Sequence, residues 1–219
     1  MSTISVVIPA LNEEKNIAKI IEYVKHLSIV DEIIIVDNNS TDKTREIIEK
    51  HGIKPVICKK RGKGYAMECG LKKAKGDIVL FTDADISNYA EDFINKMVQP
   101  LINDDFDFTK ATFSREGGRV TELVAKPLLE LTFPELTGYS QPLSGIIAGK
   151  KSLFKKIKFE KDYGVDIGIL IDCYKLKAKM KEINIGKIKN DSQDWKDLTY
   201  MAREVSKSIL KRSGVAHIK

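Results

Sequence analysis

The first half of the chain alternates between short, continuous apolar runs and longer segments with a single apolar face. Ile4–Pro9, Glu32–Asp37 and Asp77–Thr82 are runs of the first kind, typical of strands buried on both faces of a parallel sheet. Between them apolar residues recur at helical spacing, as in the helix predicted after Asn12, which is expected to cap it. This alternation predicts βαβ units and an α/β fold with a mostly parallel central sheet and helices on both faces.

After residue 105 the alternation loosens, but the apolar pattern still predicts elements. The expected strands are Phe106–Thr112, Gln141–Ala148 and Ile183–Ile188, and the expected helices are Val120–Leu131, Val165–Lys179 and Trp195–Arg212. Neither a repeat nor a linker interrupts the 219 residues. A chain of this length suits one domain, so residues 1–219 are predicted to form a single unit.

Composition excludes several classes of protein. The net charge of +6 is spread along the chain with no basic arm, which argues against nucleic-acid binding and suits phosphorylated small molecules. No run approaches the ~20 apolar residues of a membrane span, and no signal peptide is visible. Cys58, Cys69 and Cys173 are scattered and form no CxxC pair, as expected for reduced thiols in a cytoplasmic protein.

Polar residues follow three of the predicted strands, at the edge where open parallel sheets bind ligands. Ile4–Pro9 leads into PALNEE, Glu32–Asp37 into DNNSTDKT, and Asp77–Thr82, the fourth predicted strand after a short third one at Pro55–Cys58, into DAD. Asp37 can hydrogen-bond a base or ribose edge, and Asn39 offers a further short polar group. The alternative interpretation of NNSTD is a turn and helix cap, which these residue types also favour.

Asp83 and Asp85 stand directly beyond a buried strand, two residues apart, so both carboxylates can face one site. Hard oxygen ligands suit Mg²⁺ or Mn²⁺, which typically bind one or two carboxylates together with substrate phosphates. The alternative is a solvated turn. The basic glycine loop from Arg61 to Gly64 can also approach phosphates.

These motifs, in the order PALNEE, DNNSTDKT, GKG and GDIVLFTDAD, resemble those of nucleotide-sugar-dependent glycosyltransferases with the GT-A fold. The second-half motifs GGRVTELVAKPLL, QPLSG and YGVDIGILID resemble a narrower family, the retaining glucosyl-3-phosphoglycerate and mannosyl-3-phosphoglycerate synthases. The resemblance spans Ile4 to Arg212. It implies a single-domain, Rossmann-like GT-A fold in which residues 1–105 bind the nucleotide sugar and residues 106–219 bind the acceptor.

The resemblance also implies roles for individual residues on the donor side. The implied nucleotide-sugar contacts are Pro9, Ala10, Leu11, Glu13, Asp37, Asn39, Lys63 and Asp83. The implied metal ligands are Asp85 and Asp83. Where the family has a third ligand, a histidine, this chain has Asn190, and Asn190 or the adjacent Asp191 offers an oxygen instead.

On the acceptor side the resemblance implies a phosphoglycerate site at Arg115, Gly118, Arg119, Thr121 and Asp166. A short loop with an arginine and a hydroxyl suits a phosphate, and Thr121 is expected to cap the helix that begins nearby. The alternative is that Arg119 pairs with Glu116 or Glu122.

The catalytic residues implied by the resemblance are Asp85, Lys63, Asp166 and Leu143, the backbone of the last bordering the transferred sugar. The expected activity is retaining transfer of glucose from a nucleotide diphosphate sugar to 3-phosphoglycerate, with Mg²⁺ or Mn²⁺, in the cytoplasm. The sequence does not distinguish UDP-glucose from a GDP-linked donor, or glucose from mannose, and a homodimer remains compatible with it. The alternatives are a polyprenyl-phosphate glycosyltransferase at a membrane surface and a non-catalytic sugar-nucleotide-binding protein.

Overall fold

A seven-stranded sheet forms the centre of the fold in the computed structural model, which describes residues 2–85, 90–103, 105–114, 118–188 and 194–214. The strands lie in the order β3-β2-β1-β4-β6-β5-β7. Their bounds are β1 Ile4–Ala10, β2 Glu32–Asp37, β3 Val56–Ile57, β4 Ile78–Phe81, β5 Phe108–Ser114, β6 Ile147–Lys150 and β7 Met180–Lys187.

One strand runs against the others. β6 pairs antiparallel with both β4 and β5, whereas β1, β2, β3, β4 and the β5–β7 pair are parallel. The prediction of a mostly parallel sheet is therefore confirmed, and the reversed strand is a feature that the apolar pattern did not reveal. The fourth strand still leads directly into Asp83, as predicted.

Helices cover both faces of the sheet, as the strand–helix alternation predicts. The α-helices are α1 Ile17–Lys25, α2 Thr44–Lys50, α3 Lys63–Lys73, α4 Phe93–Asn103, α5 Lys126–Thr132, α6 Lys151–Phe154, α7 Val165–Lys175 and α8 Trp195–Ser213. A π-helical turn, Thr121–Ala125, leads into α5, and a 3₁₀ turn, Pro134–Leu136, follows it. In the described part of the chain, no helix is long and apolar enough to cross a membrane.

The continuous apolar strands separate two hydrophobic cores, one on each face of the sheet. Val7, Val79 and Phe81 pack with α3 and α7, while Ile8 and Leu80 pack on the opposite face with α1 and α4. Because alternate residues of a strand point to opposite faces, strands buried on both sides must be apolar throughout.

Several predicted boundaries are wrong: α7 ends at Lys175 instead of Lys179, and β7 begins at Met180 instead of Ile183. Two further errors concern loops at the edge of the sheet. Asn12 does not cap a helix: α1 begins at Ile17, and the Asn12 Oδ1 accepts a hydrogen bond from the Thr41 backbone N–H at 2.9 Å. The segment from Gln141 to Gly145 is a turn, and the strand predicted there begins only at Ile147. In both places the segment at the edge of the sheet contains polar residues or glycine, and it forms a loop instead of extending a helix or strand.

Thr121 also differs from its predicted role as a helix cap. The backbone ladder begins upstream of it, since the Glu122 N–H already bonds the Gly118 carbonyl at 3.0 Å. Thr121 therefore lies inside the first turn, where its side chain is buried. Its hydroxyl has no hydrogen-bond partner among the described residues.

The terminal helix α8 is fixed to the rest of the protein by Arg212. Its guanidinium donates to both Asp172 carboxylate oxygens at 2.8 and 2.9 Å and to Glu160 Oε1 at 2.8 Å. The side chain is only 9% exposed, so these charge-assisted bonds are largely shielded from water. Arg212 thus sets where α8 lies against α7.

We expect Arg212→Ala to lower the free energy of unfolding by about 2–3 kcal/mol, because it leaves two carboxylates without their shared partner. Urea unfolding followed by circular dichroism measures the change. Lys211→Ala is the control, since its exposed ammonium also bonds Glu160 at 3.2 Å, and it should cost no more than about 0.5 kcal/mol. Equal losses in the two variants would contradict the assignment.

Candidate functional site

A cavity of about 740 Å³ opens at the carboxyl edge of the sheet, beyond the ends of β1 and β4. This is the edge at which open α/β sheets bind ligands. Its walls come from both halves of the chain, including the loop before α3, the π-helical turn, the first turn of α7 and the first turns of α8.

Most of the residues that the sequence singled out lie on this one cavity. Those lining it are Pro9, Ala10, Leu11, Glu13, Lys63, Asp83, Asp85, Gly118, Arg119, Thr121, Leu143 and Asp166. Arg115, Asn190 and Asp191 fall outside the described residues. Asp37 and Asn39 are not among the lining residues.

Asp37 is fully buried and its carboxylate is already engaged. Arg45 donates to Asp37 Oδ2 through Nε at 2.9 Å and through Nη2 at 2.5 Å, and the Ser40 N–H donates to Oδ1 at 2.9 Å. The carboxylate therefore closes the turn after β2, which is the structural role that the turn-and-cap alternative describes. In the sequence, the position of Arg45 in the first turn of α2 is what indicates that it can pair with Asp37.

Asn38, between the two predicted contacts, lines the cavity instead. Its amide nitrogen donates to the Lys60 carbonyl at 2.7 Å and to the Cys58 carbonyl at 3.2 Å. Its amide oxygen accepts from the Gly62 N–H at 2.7 Å. These three bonds fix the loop that leads into α3 and so determine where Lys63 begins that helix.

The Lys63 ammonium joins the two halves of the site. Nζ lies 2.8 Å from Asp83 Oδ1, beyond β4, and 2.9 Å from Asp166 Oδ2, in the first turn of α7. Burial alone lowers the pKa of Lys63, but the charges of Asp166 and Asp83 outweigh it and hold the pKa above its ordinary value. Lys63 is therefore a permanent cation at the centre of the cavity.

Asp166 offers one oxygen to a ligand. While Oδ2 bonds Lys63, Oδ1 is buried and has no hydrogen-bond partner among the described residues. Burial raises the pKa of this carboxyl, and the Lys63 charge opposes that rise. A buried acceptor without a donor is costly, so Oδ1 is suited to a hydroxyl or other donor on a bound molecule.

The turn from Gln141 to Gly145 packs directly on this ion pair. A Cβ atom added at Gly145 would collide with the Lys63 ammonium and with both Asp83 carboxylate oxygens. Only glycine lets the backbone come this close. Leu143, in the same turn, lines the cavity as predicted.

Arg119 lies over the ring of Trp195, with its guanidinium carbon 4.8 Å from the ring centroid. Among the described residues Arg119 makes no ion pair with Glu122, whose carboxylate bonds Lys126 at 2.6 Å, and the other candidate partner, Glu116, lies outside the described residues. Trp195 is 69% exposed, so it supports Arg119 from the start of α8 rather than packing in a core.

The sequence analysis missed the wall that α8 contributes. Asp197, Leu198, Tyr200 and Met201 line the cavity. The Tyr200 hydroxyl donates to Asp162 Oδ2 at 3.0 Å, while Asp162 Oδ1 accepts the Lys63 N–H at 3.3 Å. No local pattern marks these residues, because it is tertiary packing that brings α8 to the site.

Asp83 and Asp85 together present hard oxygen donors to the cavity. In the described part of the chain, no group of three or more His, Cys, Asp or Glu side chains is arranged to hold a metal ion. Two carboxylates fit Mg²⁺ or Mn²⁺, provided that substrate phosphates and water supply further oxygens.

Comparison with known proteins gives the family. The profile of glycosyl transferase family 2 matches residues 5–162. Glucosyl-3-phosphoglycerate synthase from Mycolicibacterium smegmatis is 34% identical, over 98% of this chain and 78% of that protein. The enzyme of the same name from Petrotoga mobilis is 35% identical, over 95% of this chain and 73% of that protein.

Solved structures agree with the sequence relatives. Glucosyl-3-phosphoglycerate synthase from Mycobacterium tuberculosis, in complex with Mn²⁺, UDP-glucose and phosphoglyceric acid, is similar with a TM-score of 0.93 and 36% identity, over 99% of this chain and 81% of that chain. A complex of the same enzyme with Mn²⁺, UDP and glucosyl-3-phosphoglycerate has the same TM-score and coverage. The expected GT-A fold is confirmed. This chain belongs to glycosyl transferase family 2 and, within it, to the glucosyl-3-phosphoglycerate synthases.

Proposed function

We propose that this protein transfers glucose from UDP-glucose to 3-phosphoglycerate, releasing UDP, with retention of configuration at the sugar. The observation that carries the proposal is the bridge that Lys63 makes between Asp83 in the first half and Asp166 in the second. The Lys63 ammonium thus contacts both the part of the cavity where the donor diphosphate would bind and the part where the acceptor would bind. The ligands named for the solved relatives, UDP-glucose and phosphoglyceric acid, support this pairing of substrates.

The donor belongs at the end of the cavity formed by residues 1–105. Pro9, Ala10, Leu11 and Glu13 follow β1 and provide apolar surface, backbone and one carboxylate for a base and ribose. Arg61 lines the same end and adds a guanidinium near the start of α3. UDP, rather than GDP, is the nucleotide in the solved relatives, and we propose it here.

The acceptor belongs at the end formed by residues 106–219. Arg119 supplies a charge for a phosphate or carboxylate, and the buried Thr121 hydroxyl and Asp166 Oδ1 each have no hydrogen-bond partner among the described residues. A small anion with one hydroxyl satisfies these groups, because the anion pairs with the arginine and the hydroxyl donates to the carboxylate. 3-Phosphoglycerate has this chemistry.

Asp83 and Asp85 are the residues that would hold a divalent metal ion together with the donor diphosphate. When bound, such an ion neutralises the charge that develops on the departing phosphate. Mn²⁺ or Mg²⁺ is present in the solved relatives. Asn190 and Asp191, the other expected ligands, lie outside the described residues.

In the proposed transfer, the bond between the sugar C1 and the diphosphate oxygen breaks while a bond forms between C1 and the acceptor hydroxyl oxygen. The hydroxyl proton passes to the leaving phosphate oxygen on the same face of the sugar. Lys63 provides fixed positive charge beside the leaving group, and Asp166 orients the hydroxyl. This chain's residues bind, orient and stabilise charge, and none needs to form a covalent bond to glucose.

A panel of sugar nucleotides tests the proposal. The release of UDP or GDP is measured from UDP-glucose, GDP-glucose and GDP-mannose, with and without 3-phosphoglycerate, in Mg²⁺, Mn²⁺ or EDTA. We expect UDP release only when UDP-glucose, 3-phosphoglycerate and a divalent metal are present. Turnover with a polyprenyl phosphate instead would favour the membrane-surface alternative, and donor binding without turnover would favour a non-catalytic protein.

Asp85→Ala should abolish this turnover while the fold survives, because the carboxylate lies at the rim of the cavity and not in a core. Activity and the melting temperature are measured together. The control is Asp92→Ala, which removes a nearby exposed carboxylate that pairs with Lys96 at 3.0 Å and should leave activity unchanged. Near-normal metal-dependent activity in Asp85→Ala would overturn the metal assignment.

Arg119→Ala should weaken the use of 3-phosphoglycerate and spare donor binding. Loss of one charge-assisted contact costs about 1.5–3 kcal/mol, or about a ten- to hundredfold rise in the apparent KM for the acceptor. The matched control is Arg203→Ala, whose guanidinium also lies over an aromatic ring of α8, that of Tyr200 at 5.5 Å. Equal losses for donor and acceptor would mean that this turn is not the phosphoglycerate site.

A further inference from the structure

Lys110 is a buried lysine that does not line the cavity. It lies at the centre of β5, between Ile147 of β6 and Glu182 of β7, and its side chain has no exposure to solvent. Lysine is among the residues least often buried, since an ammonium in a protein interior loses its hydration. Its complete burial therefore calls for a physical reason.

The Lys110 ammonium holds the turn that precedes β6. Nζ donates to the Ser144 carbonyl at 2.7 Å, which is its one hydrogen bond among the described residues. Within the turn, the Ser144 N–H bonds the Gln141 carbonyl at 3.0 Å, and the Ile146 N–H bonds the Ser144 hydroxyl at 3.3 Å. Lys110 thus links the turn to β5, while the hydrogen bonds within the turn determine its shape.

The same turn meets the reactive centre on its other side. Gly145 packs so closely on the Lys63–Asp83 pair that it has no room for a Cβ atom, and Leu143 lines the cavity. A shift of the turn would therefore move the surface against which the Lys63 ammonium and the Asp83 carboxylate are held. The path from Lys110 to that pair runs through two residues, Ser144 and Gly145.

Electrostatics support a protonated Lys110 at neutral pH. Burial lowers its pKa to about 8, and the carboxylate of Asp166 is the charge that most opposes this lowering. Lys110 in turn lowers the pKa of Asp166, after the larger effect of Lys63. Lys63 and Lys110 together balance the charges of Asp83 and Asp166, of which Lys110 and Asp166 are buried and the other two are partly exposed.

We propose that Lys110 is a positioning residue of the transfer reaction, which holds the Gln141–Gly145 turn against the Lys63–Asp83 pair through the Ser144 carbonyl. The inference rests on the proposed function for its kinetic consequence. Because Lys110 does not reach the cavity, it acts through the turn and not by contact with substrate. Its loss affects the transfer step at the Lys63–Asp83 pair and spares the contacts to the base and ribose, which are assigned to residues after β1.

The test replaces Lys110 by methionine, which has a similar length and no charge. We expect kcat to fall by about tenfold or more while the Kd for uridine, which lacks the diphosphate and is measured by titration calorimetry, stays within about twofold. The control is Lys150→Met on the neighbouring strand β6, whose ammonium bonds Asp107 at 2.8 Å away from the cavity. This control should retain kcat within about twofold, since only its surface ion pair is lost.

Gly145→Ala approaches the same contact without removing a buried charge, which matters if Lys110→Met fails to fold. Its methyl group would push the turn and the ion pair apart, so kcat should fall with uridine affinity retained. Gly138→Ala is the control, because a Cβ there meets nothing within 4 Å. Full kcat in Gly145→Ala would overturn the proposal even if Lys110→Met were unfolded.

A readout that needs no activity separates this inference from the proposed function. Hydrogen exchange of the Gln141–Ile146 segment should accelerate in Lys110→Met and not in Lys150→Met. Unchanged exchange there, or a parallel loss of kcat and uridine affinity, would mean that Lys110 only stabilises the fold. Inactivity of the parent protein toward UDP-glucose and 3-phosphoglycerate would contradict the proposed function instead, and the exchange result would still decide the role of Lys110.

Discussion

The site depends on one ammonium held by two carboxylates. Lys63 begins α3, Asp83 follows β4 and Asp166 begins α7, so the contact of their side chains fixes three elements relative to one another. In a largely buried setting this pairing is strong enough to keep Lys63 charged despite the cost of burial. The surrounding features, including the Asn38 bonds to the α3 loop and the close approach of Gly145, serve to keep these three groups in place.

The sequence predicted those helices and strands whose buried residues give a regular spacing of apolar side chains. β2 was predicted with its observed bounds, since a strand covered on both faces must be apolar throughout, and α8 was predicted to within one residue from its amphipathic spacing. The direction of β6 was not predicted, because the apolar pattern of a strand is the same whichever way it runs. α4 was missed altogether, although its Phe93, Ile94, Met97 and Val98 lie at helical spacing.

The site was predictable where a motif carries its own chemistry, as at Asp83, Lys63 and Arg119. It was not predictable where a neighbour distant in sequence decides the role of a side chain. The Asp37 carboxylate bonds Arg45 of α2, and Tyr200 of α8 lines the cavity with its hydroxyl bonded to Asp162. Lys110 resembles an exposed residue of an alternating strand, and only the tertiary packing on the face of β5 shows that its side chain is buried.

The reversed strand β6 changes what the carboxyl edge of the sheet can contain. The neighbouring strands β4 and β5 end at that edge, whereas β6 runs the opposite way and begins there. The chain therefore passes through the site just before it enters β6. The Gln141–Gly145 turn is consequently clamped at its far end by sheet hydrogen bonds and supplies backbone, not only side chains, to the cavity floor. Because β6 is reversed, the backbone of this turn packs against the Asp83 carboxylate beyond β4. Residues between β5 and the turn can therefore vary in number without changing the register of any parallel strand pair.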